Sequence, residues 1–122
     1  MNLINFVLWM FVLQPFVEYW LHRLAHHFRV NMHVEHHHIY KGKQYSKYAG
    51  HMFAWCIIMC FLALKQWVLA FAVLKYEIMH TLTHHPLHYM YRHHFMHHHN
   101  PQCNFGVSAC WPDYVFGTLR YE

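Results

Sequence analysis

Tyr76-Glu77-Ile78-Met79-His80-Thr81-Leu82-Thr83-His84-His85 is the stretch that decides how this chain is read. An apolar run breaks off there and becomes a set of imidazoles with the spacing H-x-x-x-H-H. The same spacing stands near the other end of the chain, in Glu18-Tyr19-Trp20-Leu21-His22-Arg23-Leu24-Ala25-His26-His27, again directly after an apolar run. Two further clusters follow the related spacing H-x-x-H-H: His33-Val34-Glu35-His36-His37-His38 and His94-Phe95-Met96-His97-His98-His99. Residues three and four apart share one face of a helix, so each cluster can turn two or three imidazoles toward one point.

The segments between the clusters are membrane-like. Charged residues make up 11% of the 122 residues, against roughly 25% in an ordinary soluble chain. Aromatics reach 20%, and the 17 histidines mask long apolar stretches in the composition. A domain of this size has too small a core to hide such stretches from water. Residues 3–21, broken only by Asn5, Gln14, Pro15 and Glu18, are long enough for a membrane helix. No basic residue precedes Arg23, so the segment reads as a retained helix and not a signal peptide. Residues 52–79 are the second apolar region, interrupted by Lys65, Gln66, Lys75 and Glu77. Either one long tilted helix or a hairpin turning at Lys65-Gln66 fits it. The hairpin is preferred because it returns His80 to the side that His51 left, although no Gly or Pro marks the turn. The expected organisation is a single domain over residues 1–122: a membrane helix (1–21), a histidine-rich cap segment (22–51), a membrane helix or hairpin (52–79) and a second cap segment (80–122).

Nine Lys and Arg against five Asp and Glu leave a net charge of +4. Most of these cations (Arg23, Arg29, Lys41, Lys43, Lys47, Arg92, Arg120) lie in or beside the histidine-rich stretches. No basic stripe alternates with base-reading residues, which argues against nucleic acid. The positive-inside rule instead turns the histidine-bearing side toward the cytoplasm. Cys56 and Cys60 read as small buried side chains, and Cys103 and Cys110 as reduced structural thiols. Trp9, Tyr19, Trp20, Trp55 and Trp67 read as interface anchors or lipid-facing packing.

About ten imidazoles suffice for two ions with five ligands each, and imidazole suits iron, zinc, copper or nickel. A closed structural zinc site needs only four ligands, and a metal-sequestering tract needs no spacing discipline. The ordered clusters therefore point to a dinuclear centre at the membrane surface. Glu18, Glu35 and Glu77 stand within four residues of a histidine, where a carboxylate can hold the far nitrogen of a ligating imidazole. Five acids in all are too few for a carboxylate-bridged di-iron site.

These motifs resemble the fatty acid hydroxylase and sterol desaturase superfamily, and most closely its fatty acid 2-hydroxylase branch. Glu18-Tyr19-Trp20-Leu21-His22-Arg23 is similar to the family's E-Y-x-L-H-R, and Tyr76 through His85 to its Y-D-x-x-H-x-x-x-H-H. Arg92 through His98, Asn104-Phe105-Gly106 and Asp113-Tyr114-Val115-Phe116-Gly117-Thr118 resemble its R-x-H-x-x-H-H, N-F-G and W-D-x-x-F-G-T. The resemblance implies metal ligands at His22, His27, His33, His36, His37, His80, His84, His94, His97 and His98, with His26 and His85 as alternate or supporting groups. His38, His51, His88, His93 and His99 are then polar residues of the cap. The fold so implied is all-α, with integral-membrane helices and a cytoplasmic, histidine-rich helical cap holding a dinuclear metal site. The resemblance further implies two iron ions, with zinc able to replace them in purified protein. It implies O2-dependent hydroxylation of a lipid acyl chain (a fatty acid or sphingolipid, at the 2-position in the nearest branch) and residence in the endoplasmic reticulum membrane. The partners implied are the lipid substrate, O2 and a b-type cytochrome or similar electron donor in trans, with a homo-oligomer supplying further walls. A sterol or carotenoid oxygenase on the same scaffold and a non-catalytic membrane metal-binding protein are the competing readings.

Overall fold

A computed structural model describes residues 2–40 and 49–121. Among them every regular element is helical: α1 (Leu3–Leu8), a π-helical turn (Trp9–Leu13), α2 (Gln14–His27), α3 (Asn31–Tyr40), α4 (Ala49–Ala63), α5 (Trp67–Thr83), α6 (Tyr91–His99) and α7 (Trp111–Val115). The first three run on as one 25-residue helix, Leu3–His27, about 37 Å long at 1.5 Å per residue. That exceeds the ~30 Å hydrocarbon core of a bilayer, and among the described residues it is the one helix long and apolar enough to cross. It outlasts the apolar run at residues 3–21 because its last turns carry the first histidines. Leu3, Ile4, Phe11 and Leu21 on its surface are exposed.

Pro15 explains the π-helical turn. Gln14 N donates to Trp9 O, five residues back. The next bond of that ladder would run from residue 15 to Met10 O, but proline has no N–H to give. Lys75 of α5 supplies the missing donor, its Nζ reaching Met10 O at 2.6 Å. The Gln14 side chain also joins α5, its Nε2 donating to Ala72 O at 2.8 Å and to Glu18 Oε1 at 2.7 Å.

Helices α4 and α5 form a hairpin. Lys65, at φ 56°, ends α4 in the left-handed conformation, with Gln66 N donating to Phe61 O at 2.8 Å and Lys65 N to Leu62 O at 3.0 Å. This paired closure usually places glycine at the left-handed position. The same closure ends α2: Arg29 has φ 49°, Val30 N donates to Ala25 O and Arg29 N to His26 O. At the hairpin's open end His51 Nδ1 donates to Glu77 Oε2 at 2.7 Å, so the chain does come back to the side it left. Cys56 and Cys60, expected inside, are exposed on α4 beside Trp55 and Met59. Among the described residues α5 packs along α4 and α3 touches it, and neither covers the face that carries Trp55, Cys56, Met59 and Cys60.

The deepest-buried side chains are largely polar. Tyr19, His94, His97, Asn104, Thr83 and Asp113 are each less than 2% exposed, alongside Val107 and Pro112. Tyr19 is therefore no interface anchor. Its ring stacks on Phe116 at 4.9 Å and meets Phe105 edge-on at 5.7 Å, which ties α2 to the segment around α7.

Replacing Lys75 with Met strips Met10 O of its donor and is expected to destabilise the folded protein by about 1–3 kcal/mol. Pro15→Ala in the Lys75→Met background restores a backbone donor, so denaturation in detergent should show part of that loss recovered. Equal stability of the single and double variants would contradict the assignment.

Candidate metal centre

Two groups of imidazoles converge where α2, α3, α5 and α6 meet. His22, His26, His33, His37 and His97 form the first, and His36, His84, His94 and His98 the second; within each, the candidate ligand atoms all lie within 4.8 Å of one another. An ion about 2.1 Å from each nitrogen puts neighbouring ligand atoms about 3 Å apart and opposite ones about 4.2 Å apart. The contacts match. In the first group His26 Nε2 lies 2.7 Å from His33 Nε2 and 2.9 Å from His97 Nε2, and His97 Nε2 lies 3.1 Å from His37 Nε2. In the second, His94 Nε2 lies 3.2 Å from His84 Nε2 and 3.0 Å from His98 Nε2. His80 borders the second group, its ring 4.6 Å from His36 and 4.9 Å from His94, with its Nε2 buried and without a hydrogen-bond partner. The groups adjoin, since the His37 and His98 rings are 4.3 Å apart.

The tautomers are set from outside the cluster. His22 Nδ1 donates to Phe105 O at 2.6 Å and His97 Nδ1 to Cys103 O at 2.7 Å. Each ring has thereby used its one N–H, and its Nε2 faces the centre as a bare lone pair. His22 Nε2 is buried with no hydrogen-bond partner. His26 Nε2 has at most one N–H to share between its two nitrogen neighbours. Protein alone therefore leaves lone pairs facing lone pairs, and the donor set fits a metal ion held by nitrogen. Burial, reinforced by neighbouring imidazoles, pushes His33 and His84 down to about 3, and burial followed by His51 pushes His36 down to about 4. Burial also takes His97 to about 3 against the raising effect of its bond to Cys103, and depresses His37, His94 and His98. The rings stay neutral, the form that binds metal.

Nine of the ten expected ligands are brought together or beside one another. His27 is not: it is exposed, its ring against Phe28 at 4.9 Å, and His26 takes its place. On a helix His26 follows His22 by about 400°, nearly the same face, whereas His27 swings about 100° further round. The acids also depart from expectation. Glu18 accepts from Gln14 Nε2 and from the amide and hydroxyl of Ser108. Glu77 pairs with His51 across the hairpin. The Glu35 side chain lies outside the described residues, as do that of His38 and residues Lys41, Lys43 and Lys47. His85 and His88 accept from the nearby amides of Leu87 and Met90, and His99 donates to Phe95 O, all apart from the centre.

Three residues not expected at the site organise it. His93, expected as a polar cap residue, is buried with Nε2 donating to Asp113 Oδ2 at 3.1 Å. Asp113 also accepts from the amides of Phe105 and Gly106 and from Thr118 Oγ1, each at 2.7 Å. These bonds hold its carboxyl below the usual range despite its burial. Asn104 ties the last segment in, accepting from Arg120 N at 2.7 Å and donating to Arg120 O and His93 O. A chain of donors runs from Arg23 Nη1 to Tyr19 OH (2.9 Å), on to Thr118 Oγ1 (3.1 Å) and then to Asp113. Position within the N-F-G and D-x-x-F-G-T motifs was the signal that could have found Asn104 and Asp113.

A cavity of about 440 Å³ lies between α2 and the α4–α5 hairpin, within the usual range for ligand pockets. Trp9, Val17, Leu21, Phe61, Leu69 and Val73 line most of it, and His22 and His33 of the first group line one end.

Two imidazole groups able to hold metal thus stand at the end of a helix long and apolar enough to cross a membrane, beside an apolar cavity. The fatty acid hydroxylase family model matches residues 7–118, and the chain belongs to that family. Its members are metal-dependent hydroxylases and desaturases, which makes this chain an oxidoreductase of lipid oxygenation. No curated protein and no solved structure matches the chain.

His26→Ala should remove bound metal while His27→Ala leaves metal content unchanged, as elemental analysis of the purified proteins would show; the reverse pattern would restore His27. The pH dependence has a definite sign. Histidines whose folded values lie near 3–4 bind fewer protons than the same residues unfolded near 6.5. Their contribution is therefore fully present above about pH 6.5 and is lost as pH falls toward 3–4. Metal-free protein should denature more readily at pH 5 than at pH 7.5, and equal stability at both would contradict the buried, neutral cluster.

Proposed function

We propose that this protein is an O2-dependent lipid hydroxylase with a histidine-ligated di-iron centre, acting on an acyl chain and nearest to the 2-hydroxylase branch. The observation that carries the reading is that His22 and His33 belong at once to the first imidazole group and to the wall of the apolar cavity. Iron bound in the two groups would supply the redox chemistry that activates O2 for insertion into a C–H bond, which zinc cannot supply. His22, His26, His33, His37 and His97 would hold one ion, and His36, His80, His84, His94 and His98 the other. The protein's own work is to hold, to orient and to exclude water. The Cys103 and Phe105 carbonyls fix two of the rings, and the cavity walls line up an apolar chain against the first group.

The cavity's direction supports attack near the polar end of the substrate. From His22 to Trp9 the helix runs about 20 Å, so a tail laid along α2 leaves its head group on the cap side, with the first carbons beside the histidines. The excess of Lys and Arg in the histidine-bearing stretches supports a cytoplasmic cap, in the endoplasmic reticulum for a eukaryotic host. Electrons would then come from a b-type cytochrome or similar donor in trans.

Lipid extracts of cells expressing the protein should contain acyl chains hydroxylated close to the carbonyl, detected by mass spectrometry against non-expressing cells. His36→Ala or His97→Ala should abolish that product without preventing membrane insertion. Unchanged turnover in both variants would refute the site, and oxygen found instead on a sterol or carotenoid would refute the substrate class.

A further inference from the structure

We infer that Asp113, with Thr118, is a positioning residue for one of the two metal positions only. The inference rests on the two-metal reading above. A trans peptide is planar, with its N–H and C=O pointing in opposite directions. The Phe105 carbonyl, which receives His22 Nδ1, shares a peptide plane with the Gly106 N–H, which Asp113 Oδ2 holds at 2.7 Å. Fixing one end of that plane aims the other at His22. The Cys103 carbonyl, which receives His97 Nδ1, shares its plane with the Asn104 N–H, which donates to Thr118 O at 3.0 Å. Thr118 is itself held by Asp113, through N to the Asp113 carbonyl at 2.8 Å and Oγ1 to Oδ1 at 2.7 Å. Both aimed rings belong to the first group.

Gly106 shows how close the carboxylate stands to this loop. A Cβ there would meet Ala109 O at 2.2 Å and Asp113 Oδ2 at 2.8 Å, so only glycine lets the amide approach. His80 and His84 of the second group are carried by the end of α5 and not by this loop. His94 and His98 stand on α6, which Asp113 reaches through His93 Nε2 at 3.1 Å and not through a peptide that receives either ring. Loss of the Asp113 carboxylate therefore loosens His22 and His97 and leaves the α5 side of the centre in place.

The test uses the full chain in detergent, loaded with Co2+ alone, and follows release of the bound ions to a chelator. Unaltered protein should hold two ions. In Asp113→Asn, whose amide group presents a donor where an N–H or imidazole now donates, one ion should leave about 10–100 times faster, the usual effect of losing a group that orients a ligating histidine. The other ion should leave at its original rate, which a general loss of structure would not allow. Thr118→Val, which spares the carboxylate, should speed release of the same ion by a smaller factor. Two ions released at unaltered rates from both variants would overturn the inference, as would equal acceleration of both ions. Should Asp113→Asn fail to fold, unaltered release from Thr118→Val overturns it by itself. Fewer than two ions in the unaltered protein would sink the two-metal reading, and this inference with it.

Discussion

Imidazole nitrogens packed at hydrogen-bonding distance from one another, away from water, are the constraint on which the rest of this structure depends. His22 and His97 spend their single N–H groups on outside carbonyls, so their Nε2 lone pairs meet other ring nitrogens at the centre, and charged rings would repel far more. A cation resolves that conflict. The arrangement therefore makes physical sense as a metal-binding centre and poor sense as a core. It also accounts for the unusual interior, in which histidine, asparagine, threonine and aspartate are buried more deeply than most of the leucines.

Meeting the constraint requires segments far apart in the chain to converge. The first helix delivers His22 and His26 at its inner end, and α3 returns at once through a left-handed turn at Arg29 with His33, His36 and His37. The α4–α5 hairpin brings His80 and His84 back to the same side, and α6 contributes residues to both groups. The closing segment then acts as a clasp. Arg23, Tyr19, Thr118 and Asp113 hand hydrogen bonds from one to the next across the molecule. Glu18 holds the other side of the same loop through Ser108. The motifs at the two ends of the chain are thus two halves of one hydrogen-bonded assembly.

Much of this was legible in the sequence, and the misses have specific causes. Histidine spacing identified the groups and their helical setting because ligand convergence on a helix needs three- and four-residue steps. The hairpin was harder to see, since Lys65 takes a left-handed position that usually announces itself as glycine. His27 was expected from the family pattern, yet helical rotation alone favours His26. The acids misled because nearness along the chain was taken for nearness to the ring's far nitrogen. Glu18 reaches instead to Ser108 and Glu77 to His51. The groups that hold the far nitrogens of His22 and His97 are backbone carbonyls, which carry no side-chain signature.

X-ray absorption at the iron edge of the iron-loaded protein tests the account most directly, because it reads the ligand atoms themselves. The account predicts a shell dominated by imidazole nitrogen, about four or five per ion, with no sulfur and little carboxylate oxygen. A shell of sulfur, or one with fewer than three imidazoles per ion, would contradict it.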